Sequence, residues 1–232
     1  IIKIRIQVIF FMSTLLKVQN VYLSYTSGGN QVKVLQGINL DVNSSESISV
    51  MGESGSGKTS LIMLISGLER VSSGSIIFQD RDITKLSEDE LAELRRKHIG
   101  IVFQSYYLIP NYSALENVCL TLEINKEKNI ETKAKEILDR FGLKERFNNL
   151  PSQLSGGEQQ RVAIARSLVV KPSLILADEP TGNLDSENSK MISDMLINYV
   201  REENSSLVLV THDDNLASRA QRKIKIKDGK VI

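Results

Sequence analysis

Short apolar runs that end in turn residues and lead into helical patterns recur along the chain. Ser47–Met51 reads as a strand entering a glycine-rich turn, and Ser60–Leu68 as the helix that follows. Ser173–Ala177 and Ser206–Thr211 are continuous apolar runs, the pattern of strands covered on both faces. Leu15–Tyr25 and Val32–Val42 read as strands of an antiparallel edge sheet, with Ser75–Phe78 and Ile99–Phe103 as further strands. This alternation predicts an α/β fold with a mainly parallel sheet and an antiparallel β edge subdomain.

The middle of the chain has a different period. Ser87 and Glu90 have capping-box spacing and predict a helix through Leu91, Leu94 and His98. His98 falls mid-helix beside Arg95, Arg96 and Lys97 and reads as part of a solvated face. Ala134, Ile137, Leu138 and Phe141 repeat at helical spacing. From about Tyr106 to Val170 a mostly helical subdomain is expected, inserted in the α/β core of a single domain spanning 12–232.

Charge narrows the partners. With 29 basic against 28 acidic residues, no basic excess supports a nucleic-acid partner. The single cysteine, Cys119, excludes an intrachain disulfide and a thiol metal cluster, and its apolar surroundings predict plain burial. No stretch reaches the roughly 18–20 apolar residues that cross a bilayer. Ile1–Met12 is too short, carries Lys3 and Arg5, and lacks a cleavage site. Residues 1–11 read best as an upstream or non-native extension ahead of a start at Met12. An extra β-segment is the alternative, since Ile2, Ile4, Ile6 and Val8 partly alternate.

Three segments carry chemistry. Gly52-Glu53-Ser54-Gly55-Ser56-Gly57-Lys58-Thr59 matches the phosphate-binding pattern G-x-x-x-x-G-K-[ST], and Ser60 continues it into the predicted helix. Glycines let successive N–H groups curl toward phosphate oxygens, Lys58 supplies a cation, and Thr59 can hold Mg²⁺. Leu174–Ala177 ends in Asp178 and Glu179: the first suits a contact to Mg²⁺, the second a water-activating base. Two adjacent acids are a weak signal alone and a strong one behind a phosphate loop. Leu154-Ser155-Gly156-Gly157-Glu158-Gln159-Gln160-Arg161 opens a good helix, so free N–H groups gather at a positive helix end. As a bare S-G-G this would be a simple N-cap.

The whole octapeptide resembles the signature sequence of ATP-binding cassette (ABC) ATPases, and the resemblance covers Met12–Ile232 with every nucleotide motif in family order. It implies an ABC ATPase fold with ATP and Mg²⁺ as cofactors. Gln104 is similar to the family's catalytic and metal-touching Q-loop glutamine, and His212 to its switch histidine on the γ-phosphate. Gly182-Asn183-Leu184-Asp185 resembles the D-loop that crosses between subunits, and Tyr25, with Tyr22 the weaker option, resembles the aromatic that stacks on adenine. Leu154, Ser155, Gly156, Gly157 and Glu158 are then expected to act in trans, on ATP held by the partner of a homodimer.

Ile99–Val118, Leu150–Ala163 and Leu176–Asp185 are most similar to the lipoprotein-releasing, YbbA-type and macrolide-export group. That implies integral membrane permease subunits as partners and a peripheral place on the cytoplasmic face of the inner membrane. An FtsE-like regulator of a membrane partner is the alternative. Two departures are mild: Ser45 stands before Glu46 where a glycine is usual, and Lys58-Thr59-Ser60 replaces K-S-T.

Overall fold

The computed structural model describes residues 13–27 and 29–232; both readings of 1–11 fall outside them. Two sheets share the work. Strands β1 (Thr14–Ser27), β2 (Asn30–Asn43), β4 (Ser73–Phe78) and β5 (Arg81–Asp82) form an antiparallel sheet in the order β2-β1-β4-β5. In β1 buried Leu16 and Val18 alternate with exposed Lys17 and Gln19, then the phase slips so that Val21 and Leu23 face inward too. The slip is a bulge at Asn20, whose φ of 48° places it in the left-handed region that Asn tolerates.

The second sheet has the order β10-β9-β3-β8-β7-β6, built from β3 (Ser47–Met51), β6 (Ile99–Val102), β7 (Leu174–Asp178), β8 (Ser206–Val210), β9 (Arg222–Lys227) and β10 (Lys230–Val231). All neighbours are parallel except β9 and β10. The continuous apolar runs follow from its position. Leu174, Leu176, Val208 and Val210 face a core shared with the antiparallel sheet, helix α1 (Lys58–Ile65) and helix α2 (Glu88–His98). Ile175, Ala177, Leu207 and Leu209 face the opposite core, under α3 (Ala114–Ile124), α4 (Ile130–Arg140), α5 (Gly156–Leu168) and α6 (Ser186–Glu202). Both faces are covered, so both must be apolar.

Between β6 and β7 the first helix starts at Ala114, and α3, α4 and α5 follow one another with loops and short turns between them, while 103–113 has no helix. Helices α2, α3 and α5 each open on a Ser-x-x-Glu capping box: Ser87 with Glu90, Ser113 with Glu116, Ser155 with Glu158. The turn from β2 to β3 holds Ser45 at φ 60°, which accounts for glycine being usual there.

Two expectations need correction. His98 is the last residue of α2, not mid-helix; it is partly buried, 6.2 Å from the Phe78 ring, and burial lowers its imidazole pKa. Cys119 is only half-buried at the edge of the helical core, and that burial pushes its thiol pKa up. Helix α6 and strand β9 escape the sequence reading. The apolar Ile192, Leu196 and Val200 repeat every four residues in α6, and charged residues alternate with Ile224 and Ile226 in β9.

Candidate nucleotide site

Parallel strands β3, β6, β7 and β8 all end at one edge of the sheet, the place where open α/β sheets bind ligands. From those four ends come Gly52–Lys58, Gln104, Asp178 with Glu179, and His212. All of these but Ser56 line one pocket of about 730 Å³ with Thr59, Ser60 and Val34.

The loop after β3 is shaped by close approach. A Cβ on Gly52 would lie 2.2 Å from the Ile226 carbonyl oxygen of β9. At Gly57 φ is 100°, and a Cβ would meet Leu35 at 2.6 Å. Gly57 is also the N-cap of α1, with no side chain bonded to the helix end. The first-turn N–H groups of α1 therefore face the pocket without a side-chain acceptor, the arrangement that receives anions. Lys58 is buried, its Nζ donating to the carbonyls of Gly52 (2.9 Å) and Glu53 (2.7 Å).

Asp178 ends β7 almost fully buried, with Oδ1 unpartnered. Burial raises its pKa, against the opposing pull of the Thr59 hydroxyl. An orphaned carboxylate oxygen beside a hydroxyl and the side-chain amide of Gln104 is an all-oxygen donor set, as Mg²⁺ takes. No cluster of three His, Cys, Asp or Glu that could cage a metal occurs among the described residues. Glu179 follows at φ 48°, a strained value for a non-glycine residue, locked by its N–H on the Val210 carbonyl and its own carbonyl on the Gly182 N–H. Its Oε2 lies 2.9 Å from His212 Nδ1.

Gln104 Nε2 donates to Asn183 Oδ1 at 3.0 Å, and Asn183 Nδ2 donates back to the Gln104 carbonyl at 3.2 Å. Leu184 is partly buried against the helical core, and Asp185 caps α6 by accepting from the Asn188 N–H. Leu154, Ser155, Gly156, Gly157 and Glu158 are elsewhere: none lines the pocket. Ser155 Oγ accepts from the Glu158 N–H, and Glu158 Oε2 accepts from the Ser155 N–H. The Arg146 guanidinium, 2.7 Å from Oε1, and the Ser155 N–H hold the Glu158 pKa at about 2.

Two further expected residues stand outside the lining. Ser56 is buried beneath the loop with Oγ unpartnered, and Tyr25, on β1, is 44% exposed with its hydroxyl donating to Glu69 at 3.3 Å. Several partners escape the sequence reading. Val34 enters the lining at a β1–β2 register shift, which no residue pattern announces. Gln160 Nε2 donates to the Pro180 carbonyl at 2.5 Å and the Phe103 carbonyl at 3.3 Å, joining α5 to the segments after β6 and β7. Its signal was available: Gln160 and Ser167 are seven residues apart on one helix face, and Ser167 Oγ donates to the Ile101 carbonyl at 2.6 Å.

Comparison with known proteins agrees with this geometry. Residues 35–182 match the ABC transporter family model. The chain is 44% identical over 223 residues to the lipoprotein-releasing system ATP-binding protein LolD of Geobacter metallireducens, covering 95% of this chain and 99% of that protein. It superposes with TM-score 0.87 on the dimeric cassette MJ0796 bound to ADP and Pi, at 41% identity over 93% of this chain and 96% of that one. It superposes with TM-score 0.84 on cbiO1 of Clostridium perfringens, part of the transporter complex cbiONQ, at 29% identity over 95% and 87%. The chain belongs to the ABC transporter family, as one of its ATP-hydrolysing subunits.

Proposed function

We propose that two copies of this chain clamp ATP between them and drive an integral membrane permease that releases lipoproteins from the membrane. The pocket supports the first half: it holds a phosphate loop, two carboxylates and a histidine, yet none of Leu154–Glu158 lines it. A partner's signature helix would supply the missing side. Dimeric MJ0796, bound to ADP and Pi, is a relative in which cassettes pair.

The residues then divide the reaction. Gly52–Ser60 receives the phosphates through backbone N–H groups and the end of α1, and Lys58 turns Nζ from two carbonyls to the β- and γ-phosphates. Thr59, Gln104 and Asp178 would hold Mg²⁺, which neutralises charge developing on the transferred phosphoryl group. Glu179 takes a proton from the attacking water, oriented by its strained turn and by His212 on the γ-phosphate. Tyr25 offers an exposed ring to adenine. Ser155 Oγ accepts within its own helix and keeps its proton to donate to a phosphate oxygen across the interface. Gly182–Asp185 lies against Gln104, placed to report the partner's approach.

The observation carrying the lipoprotein assignment is the LolD relative, matched over nearly the full length of both chains. No helix among the described residues is long and apolar enough to cross a membrane, so contact with the bilayer would run through the permease at the cytoplasmic face. Purification from detergent-solubilised native membranes tests this. The chain should bring down a permease with an extracytoplasmic domain, and proteoliposomes of the pair should shed a lipidated protein on adding ATP. Hydrolysis without shedding would overturn the lipoprotein assignment; absence of any membrane partner would overturn the coupling.

A further inference from the structure

We propose that Asn183 is a positioning residue that sets which end of the Gln104 amide faces the phosphate pocket. The inference rests on the reading of Gln104 as a cation ligand. A glutamine amide has one end that can bind a cation, Oε1, and one that repels it, Nε2, and the two ends have nearly the same shape.

The local bonding removes the ambiguity. The Gln104 backbone carbonyl can only accept, so the Asn183 atom 3.2 Å from it is the donor Nδ2. That orients the Asn183 amide and leaves Oδ1 on its other branch, an atom that can only accept. The Gln104 atom 3.0 Å from Oδ1 must then be the donor Nε2. Oε1 is left as the free end, in a side chain that lines the pocket with Thr59 and Asp178.

Gly182 is the second independent part of the arrangement. A Cβ there would lie 2.9 Å from Gln104 Nε2 and 3.3 Å from its Cδ, so the side chain lies directly over the glycine. Gly182 does not have a left-handed φ, so alanine suits the backbone and the clash falls on the Gln104 amide alone. The segment that would meet a second subunit thus holds a metal ligand of its own pocket by two contacts.

The test is Mn²⁺ binding, read as loss of the free-ion EPR signal, to full-length protein saturated with a non-hydrolysable ATP analogue. Asn183→Leu and Gly182→Ala should each weaken Mn²⁺ about three- to tenfold, the net worth of one hydrogen bond. Metal-free nucleotide affinity should stay unchanged, which also reports a folded site. In Gln104→Glu either carboxylate oxygen can face the ion, so adding Asn183→Leu should cost nothing more. Equal losses from Asn183→Leu in both backgrounds, or none in the wild-type background while Gln104→Ala loses affinity, would overturn the positioning role. Undiminished Mn²⁺ affinity in Gln104→Ala would instead remove the ligand role of Gln104, and this proposal with it.

Discussion

His212 Nδ1 and Glu179 Oε2 lie 2.9 Å apart, although one follows β8 and the other follows β7. The carboxylate is mostly covered and the imidazole mostly open, and both line the pocket. Glu179 makes this contact from a strained turn, at φ 48°.

Glu179→Gln removes the proton acceptor and leaves size and shape intact. ATP binding should persist while turnover falls by roughly 10²–10⁴, and a closed dimer should accumulate with ATP and Mg²⁺. Single-turnover hydrolysis and size-exclusion chromatography read the two effects. Near-normal turnover would take Glu179 out of the reaction.

Lys58→Ala acts earlier. Buried Nζ now satisfies two loop carbonyls and is the one side-chain cation lining the pocket among the described residues. Its loss should weaken ATP by roughly 10- to 100-fold, the scale of a hydrogen bond to a charged group. Equilibrium binding of a fluorescent ATP analogue measures it, and unchanged affinity would remove the phosphate contact.

How far the sequence could be read depends on whether a residue acts through its neighbours in the chain or through remote contacts. The loop Gly52–Thr59, the strand ending in Asp178 and the capping box at Ser87 are local patterns, so spacing alone located them. Apolar runs gave β7 and β8 because both faces of those strands are buried. Charge hid β9, where only Ile226 is fully buried and the lysines point to water. Asn183 was visible as part of a loop, yet its bond to Gln104 spans 79 positions. No periodicity encodes that pairing. Val34 likewise reaches the pocket through a strand register that only the folded sheet defines.

Ser155→Arg separates the two halves of the proposed clamp. Ser155 does not line its own pocket, so ATP binding by the single chain should survive. A bulky cation at the start of α5 should block dimerisation and with it hydrolysis. Loss of the cap should also lower stability by about 1 kcal/mol, a loss that Ser155→Ala reproduces without the added bulk. A dimeric, hydrolysing Ser155→Arg protein would defeat the two-chain site, as would a specific activity of the wild type that survives dilution.

Glu158 makes the start of α5 sensitive to acid. Arg146 and the Ser155 N–H hold its carboxyl at about 2, below the ordinary 4.5. A folded-state pKa depressed in this way contributes stability that is full above the unfolded value and is lost as pH falls toward the folded one. In Glu158→Gln the charge is absent at every pH. The variant should therefore be less stable than wild type at pH 7, by about 1–2 kcal/mol, kept modest because Arg146 is half exposed and water screens the pair. The gap should hold down to about pH 5 and then narrow as the wild-type carboxyl begins to protonate. Urea unfolding of both proteins from pH 7 to pH 3.5 reads it directly. A gap of constant size across that range would mean the ion pair contributes nothing to the cap, and that helix geometry alone holds Ser155 in place.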